Sequence, residues 1–290
     1  MLALLAERAP AKVNLTLQIL GKRVDGYHDM ESLVVFAGVG DQLTLRAGGD
    51  LTLDVTGPTA AHTGALADNL VLKAARALVA RVEGLALGRF ALTKQLPAGA
   101  GLGGGSADAA AALRLLARAN GIDLRDARVL DAARATGADV PVCLDPRPRV
   151  MRGIGEVLSE PLDLPKLPAL LVHPGVPVAT KGVFEALGLA PGQRCKSESL
   201  PQLKGMQRDP LLALLAAHGN DLEPAAIAIE PAIAEVAAAL RALPGCQLAR
   251  MSGSGSACFG VFGAERAAQA AAKTLASAHP SWWVRATMLG

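Results

Sequence analysis

Early in the chain the apolar positions are strand-like: residues 12–20 alternate with a two-residue rhythm, and the runs 31–39, 41–47 and 51–55 follow. Patterns of this kind mark strands, so they predict four strands before any helix. The period then changes. Asp68 is placed as the N-cap of a helix running from Asn69 to about Val82, with Leu70, Ala74, Ala77 and Leu78 on one stripe. A strand over 89–95 runs into Pro97 and a glycine cluster. Helices are expected over 106–120, stopped by Gly121, and over 124–136, stopped by Gly137. Strands grouped ahead of helices favour an α+β fold over a strict βαβ repeat.

Prolines at 146–148 and again at 161–168 mark a shift in composition, and the domain boundary is placed between them, giving parts 1–155 and 156–290. The second part reads as a strand at 169–173, a turn-rich stretch at 173–177, and helices at 180–187, 209–218 and 224–243. Strands at 247–252 and 258–262 flank a second Gly/Ser cluster, and a helix at 264–277 and a strand at 282–287 follow. Residues 189–205 lack periodicity and read as a mobile loop.

With 290 residues the chain suits two domains of roughly 150 residues each. A hydrophobic fraction of 51% against 19% charged excludes a disordered chain, and 3% aromatic residues point to an interior packed with small side chains. Net charge is +3, with 29 basic and 26 acidic residues and no dense run. This argues against a nucleic-acid stripe or a membrane-surface helix, while leaving room for a local basic site on a phosphorylated ligand. Cys143, Cys195, Cys246 and Cys258 lack metal-ligand spacing and read as reduced thiols. With no long apolar run and no basic leader at the start, the expectation is a soluble, cytoplasmic protein.

The sharpest chemical feature is Pro97-Ala98-Gly99-Ala100-Gly101-Leu102-Gly103-Gly104-Gly105-Ser106, between a strand and a helix. Five glycines in seven positions free the backbone so that successive N–H groups can face an anion. The following helix start adds unpaired donors and a partial positive charge. Ser106 falls where its hydroxyl could cap the helix or reach a phosphate-bound metal. The same glycines would also suit a turn that only brings helix and strand close. A Walker A loop needs Gly-Lys-Ser/Thr at its end, and no lysine lies between Gly99 and Ser106. Gly99, Gly101 and Gly104 match G-x-G-x-x-G, but no strand ending in an acid follows, so the dinucleotide reading loses.

Three further features are weaker alone. Lys12 and Asn14 are two apart on a strand and share a face. Gly26-Tyr27-His28-Asp29 is a turn holding the sole tyrosine of the chain. Asp139, in Gly137-Ala-Asp-Val-Pro141, reads as a carboxylate held in a fixed loop. Met251-Ser-Gly-Ser-Gly-Ser256 is a second glycine turn.

In this order the motifs resemble the GHMP kinase family, which includes galactokinase, homoserine kinase and mevalonate kinase. The resemblance implies a two-lobed α+β fold, with an N-terminal lobe like ribosomal protein S5, a ferredoxin-like C-terminal lobe, and the active site in the cleft. The N-terminal lobe would carry the glycine loop, and the last strand could return to it. It also implies ATP-dependent phosphorylation of a small alcohol with Mg²⁺, and no nucleic-acid or membrane partner. Pro97 to Ala107 would wrap the ATP phosphates, Ser106 would lie near the metal, and Asn69 and Lys94 would border the adenine. Asp139 matches the aspartate that accepts or orients the hydroxyl proton, and Lys12 the lysine that stabilises the developing alkoxide. Lys-x-Asn with Gly-Tyr-His resembles the members whose acceptor is a cytidine-diphosphate sugar alcohol. There Tyr27 and His28 would hold the cytosine, with Phe184 opposite, Thr180 nearby, and Asn14 on the diphosphate or the diol. Ala107 and Asp108 depart from the usual second polar residue after the loop serine. Other readings are a GHMP kinase for a different alcohol, or a silent ligand-binding relative, which would be expected to lack the lysine or the aspartate.

Overall fold

The strand-like runs at 31–39 and 41–47 belong to one strand, because nothing between them breaks the extended backbone. In the computed structural model, which describes residues 4–196 and 199–290, the chain opens with β1 (Leu4–Asn14), β2 (Gln18–Lys22), β3 (His28–Ala47) and β4 (Thr52–Thr56). Next come α1 (Leu70–Val79), β5 (Gly88–Thr93), α2 (Gly104–Ala119), α3 (Ala127–Thr136) and α4 (Val140–Leu144). They are followed by β6 (Arg149–Gly153), β7 (Val157–Leu158), β8 (Leu167–His173), α5 (Thr180–Ala186), α6 (Arg208–Ala217) and α7 (Glu223–Ile229). The chain closes with α8 (Ala232–Ala242), β9 (Cys246–Met251), β10 (Cys258–Phe262), α9 (Glu265–Ala278) and β11 (Trp283–Leu289).

Contacts gather these elements into two compact units that interleave along the chain rather than meeting at one cut. The first holds Met1–Lys12, Gly40–Ala98 and Gly103–Pro146; the second holds Val13–Val39, Gly99–Leu102 and Arg147–Gly290. In the first, β4 runs parallel to β5, and β5 antiparallel to the end of β3, from Gln42↔Thr93 to Ala47↔Gly88. Helix α2 packs against α1 and α4, and α1 against α3. Residues Ala107 through Ala117 of α2 are all buried, so the helix is enclosed on every side. Alanine makes this possible, since its side chain lets neighbouring backbones approach closely. In the second unit the strand order is β3, β11, β8, β10, β9, with β8, β10 and β11 antiparallel to their neighbours. Strands β2 and β6 pair with the first half of β3, and β7 with β6.

Several local expectations need correction. The single strand over 12–20 is two strands, separated after Asn14. The N-cap of α1 is Asn69, whose Oδ1 accepts from the Val71 N–H at 2.9 Å, and not Asp68. The helix over 224–243 is broken in two by Pro231, which opens α8 because proline suits a helix start and not an interior. Strands β6 and β7 fall where the boundary was placed and were not anticipated. The aperiodic stretch 189–205 is tied down: Lys22 N–H donates to the Gln193 carbonyl, Cys195 N–H to that of Leu20, and Leu200 N–H to Glu31 at 2.6 Å. Residues 197 and 198 lie outside the described residues.

Candidate active site

The bend at 97–106 takes its shape from alternate residues. Gly99, Gly101 and Gly103 have φ of 63°, 72° and 63°, a region open to glycine at no steric cost. Between them Ala100 and Leu102 are 3% and 1% exposed and pin the bend to the protein. The Ala100 carbonyl accepts from Ala257 N–H at 2.9 Å, and that of Gly101 from Ser252 Oγ at 3.0 Å. Gly103 is the N-cap of α2, and its carbonyl takes the first helical bond, from Ala107 N–H at 2.8 Å. Ser106 is therefore the third helical residue and not the cap. First-turn N–H groups have no partner within their own helix and point outward, and the helix dipole adds positive charge there.

Lys12 and Asp139 come together in the first unit. Lys12 sits near the end of β1 and Asp139 at the N-cap position of α4, with Nζ to Oδ2 at 2.8 Å. The lysine side chain is 6% exposed and the aspartate 33%, so the pair has one buried and one accessible member. Asp139 makes no capping bond to its own helix, which leaves its carboxylate to the lysine. The expected loop is thus the start of a helix, with Pro141 in the first turn, where a missing N–H costs nothing. A Cβ added to Gly103 would lie 3.1 Å from Lys12 Cβ and 3.3 Å from its Cε, so the lysine stem passes directly beside the bend.

Lys94 and Leu70, the neighbour of Asn69, also adjoin the first turn of α2. A Cβ on Gly105 would lie 3.3 Å from Leu70 Cδ1, beside the Asn69 cap, and one on Gly104 would lie 3.5 Å from Lys94 Nζ. The Lys94 ammonium is already engaged, however. It donates to Asp41 Oδ2 and, at 2.7 Å, to Asp108 Oδ2, with all three side chains buried. Asp41 Oδ1 also accepts the Gln95 and Leu96 N–H groups at 2.5 and 2.9 Å. Burial opposes the charge on Lys94, but the two carboxylates outweigh it and raise its pKa. One ammonium cannot neutralise two carboxylates. Burial, with Asp41 beyond, pushes Asp108 up to about 7 against the pull of Lys94. Asp41 and Asp108 were not singled out as partners of Lys94. The available signals were a carboxylate inside an alanine run and an aspartate interrupting β3.

The second unit contains the remaining predicted residues. Asn14 Nδ2 donates to Ser32 Oγ at 2.7 Å, and Ser32 Oγ in turn donates to the Thr16 carbonyl at 2.5 Å. Because that hydroxyl proton is committed, Ser32 must accept from Asn14, which fixes the orientation of the amide. Asn14 Oδ1 is left buried without a hydrogen-bond partner among the described residues. The His28 and Phe184 rings lie 5.1 Å apart, tilted by 37°. Burial, and then the charge of Lys22, lower the His28 pKa and favour the neutral ring. Its Nε2 is likewise buried without a partner among the described residues. Tyr27 is 60% exposed at the β2–β3 turn. Thr180 Oγ1 and Ser254 Oγ, in the late glycine turn, share a hydrogen bond of 2.9 Å.

A glycine bend opening into a helix, with a lysine–aspartate pair against it, sets the terms for comparison with known proteins. Residues 69–145 match the model of the GHMP kinases N terminal domain, and 201–280 that of the GHMP kinases C terminal region. The chain belongs to the GHMP kinase family. It is 57% identical to a 4-diphosphocytidyl-2-C-methyl-D-erythritol kinase of Methylorubrum extorquens, covering 99% of this chain and 100% of the relative. A protein of the same description from Rhodopseudomonas palustris is 53% identical, with 98% of each chain covered. A crystal structure of 4-(cytidine 5'-diphospho)-2C-methyl-D-erythritol kinase superposes with a TM-score of 0.75 at 33% identity, over 99% of this GHMP kinase and all of that chain. Mevalonate kinase of L. major, at 14% identity and a TM-score of 0.66, shares the fold.

Proposed function

We propose that this GHMP kinase transfers the γ-phosphoryl group of ATP to the 2-hydroxyl of 4-diphosphocytidyl-2-C-methyl-D-erythritol, a step of the non-mevalonate route to isoprenoid precursors. The observation that carries the chemistry is the 2.8 Å Lys12–Asp139 pair, with the lysine stem beside Gly103. Phosphoryl transfer through a loose transition state asks for alignment and charge neutralisation more than covalent catalysis. In this reading the residues from Pro97 to Ala107 cradle the ATP phosphates, chiefly through the first-turn N–H groups of α2. Asn69 and the segment around Lys94 border the adenine. Asp139 accepts or orients the proton of the acceptor hydroxyl, and Lys12 stabilises the alkoxide as it forms.

The substrate side of the reading uses His28 and Tyr27 on the cytosine with Phe184 opposite, and Thr180 close by. A neutral imidazole with a buried, unpartnered nitrogen suits a hydrogen bond to an uncharged base. The amide orientation of Asn14 favours the diol over the diphosphate, since its Oδ1 can only accept and an ionised phosphate offers no proton. Among the described residues no group of three or more His, Cys, Asp or Glu forms a metal cage. Mg²⁺ keeps several waters and is commonly held by substrate phosphates, so the hydroxyl of Ser106 is a fitting protein donor. When bound there, the ion supplies charge neutralisation at the phosphates. No helix among the described residues is long and apolar enough to cross a membrane. The reading is of a cytoplasmic enzyme acting on small molecules alone.

The deciding assay offers the cytidine-diphosphate methylerythritol compound, mevalonate and homoserine side by side. Phosphorylation of the first is expected, and turnover of either rival in its place overturns the substrate. Asp139→Ala is expected to abolish phosphorylation while ATP still binds, as followed by nucleotide titration. Near-normal turnover in that variant removes the assigned role.

A further inference from the structure

Arg114 is a buried arginine, 8% exposed, in the enclosed helix α2. Its guanidinium makes three directed bonds: Nη1 to the Cys143 carbonyl at 2.6 Å, Nη2 to the Arg8 carbonyl at 2.6 Å, and Nε to Glu7 Oε2 at 3.1 Å. Arg8 lies on β1 four residues before Lys12. Cys143 lies on α4 four residues after Asp139, about one helical turn along. One rigid side chain thus grips the strand that carries the lysine and the helix that carries the aspartate.

We infer that Arg114 is a positioning residue for phosphoryl transfer: its fork sets the spacing of β1 and α4, and thereby the alignment of Lys12 with Asp139. The inference rests on the reading that this pair performs the chemistry. Cys143 is near the C-terminal end of α4, where carbonyls lack partners within the helix and a cation is favoured. The planar guanidinium reaches both carbonyls at once with its orientation fixed, whereas an ammonium is a point donor on a flexible stem. Glu7 completes the clamp. It neutralises Arg114 and also accepts from Arg118 Nη1 at 3.0 Å, while Arg118 Nη2 holds the Ala6 carbonyl one residue earlier on β1.

The test is a double-mutant cycle on the full chain. Arg114→Lys is expected to lower kcat about tenfold or more, because small misplacements of reacting groups are costly, while KM for ATP and for the acceptor stays within about twofold. In an Asp139→Asn background the same change is expected to alter the residual rate by less than about twofold, since the alignment it protects no longer matters. Glu7→Gln keeps both carbonyl bonds and is expected to give a smaller loss with the same non-additivity, so it carries the test if Arg114→Lys does not fold. Equal fractional losses in the two backgrounds, a rise in KM at constant kcat, or wild-type kcat in Arg114→Lys overturns the inference. Near wild-type kcat in Asp139→Asn alone would instead overturn the underlying reading of the pair.

Discussion

One methyl group at position 103 would touch the lysine stem and force a side chain into a left-handed backbone. Gly103→Ala is therefore expected to cost about 1–2 kcal/mol of stability, as a non-glycine residue in that region does. It is also expected to reduce kcat about tenfold or more by displacing Lys12, as small misplacements do; urea denaturation and steady-state kinetics read the two effects separately. Asp108 makes a pH-dependent contribution. Its carboxyl titrates at about 7 in the folded chain, above the ordinary value of 3.8, so between those values the folded state holds more protons than the unfolded one. Stability from this group falls as pH rises through that window. Asp108→Asn removes the surplus charge and is expected to gain melting temperature over wild type progressively from about pH 4 to about pH 7. A constant difference across that range would contradict the charge count. The meeting of Lys12 and Asp139 was legible in the sequence because each stands in a short motif of its own. The Asp41–Lys94–Asp108 cluster was not, because hydrophobic patterning has no term for a charge that is buried with its partner.

At the scale of elements, periodicity found the long helices and most strands, and erred at their ends. Caps are decided by one hydrogen bond, which composition does not reveal: Asp68 and Asn69 are both good N-cap residues, yet the bond to Val71 N–H comes from Asn69. Asn69→Ala is expected to cost about 1 kcal/mol in urea denaturation. Asp68→Ala is expected to change stability by less than about 0.5 kcal/mol, since its ion pair with Lys73 is exposed and weak. Short elements were the other blind spot. Helix α4 spans five residues and strand β7 two, too few for a period to register. Prolines misled in both directions. The segment before Pro141 reads as a fixed loop where a helix begins, and Pro231 reads as part of a helix that it splits.

For the whole molecule, local pattern was silent about interleaving, because the partners of 13–39 lie far along the chain. Leu17 N–H donates to the Gly219 carbonyl, Ile19 N–H to Asp221 Oδ2, and Ala37 pairs with Leu289. A fragment of residues 1–155 is therefore expected to melt without a cooperative transition, as seen by near-ultraviolet circular dichroism. A sharp melt like that of the full chain would mean that the first part folds alone. The fold class was nonetheless readable, because strands grouped ahead of helices and a glycine bend between strand and helix are both local. That bend has a wider consequence. Its contour is held by the alanine and leucine side chains at 100 and 102 and by two bonded carbonyls, so it does not wait for a guest to take shape. Main-chain N–H groups carry no side-chain information: they favour an anion but do not tell one oxygen acceptor from another. Under the proposed function they would hold any polyphosphate tail alike, and choosing which nucleoside comes attached to it would fall to side chains elsewhere in the chain.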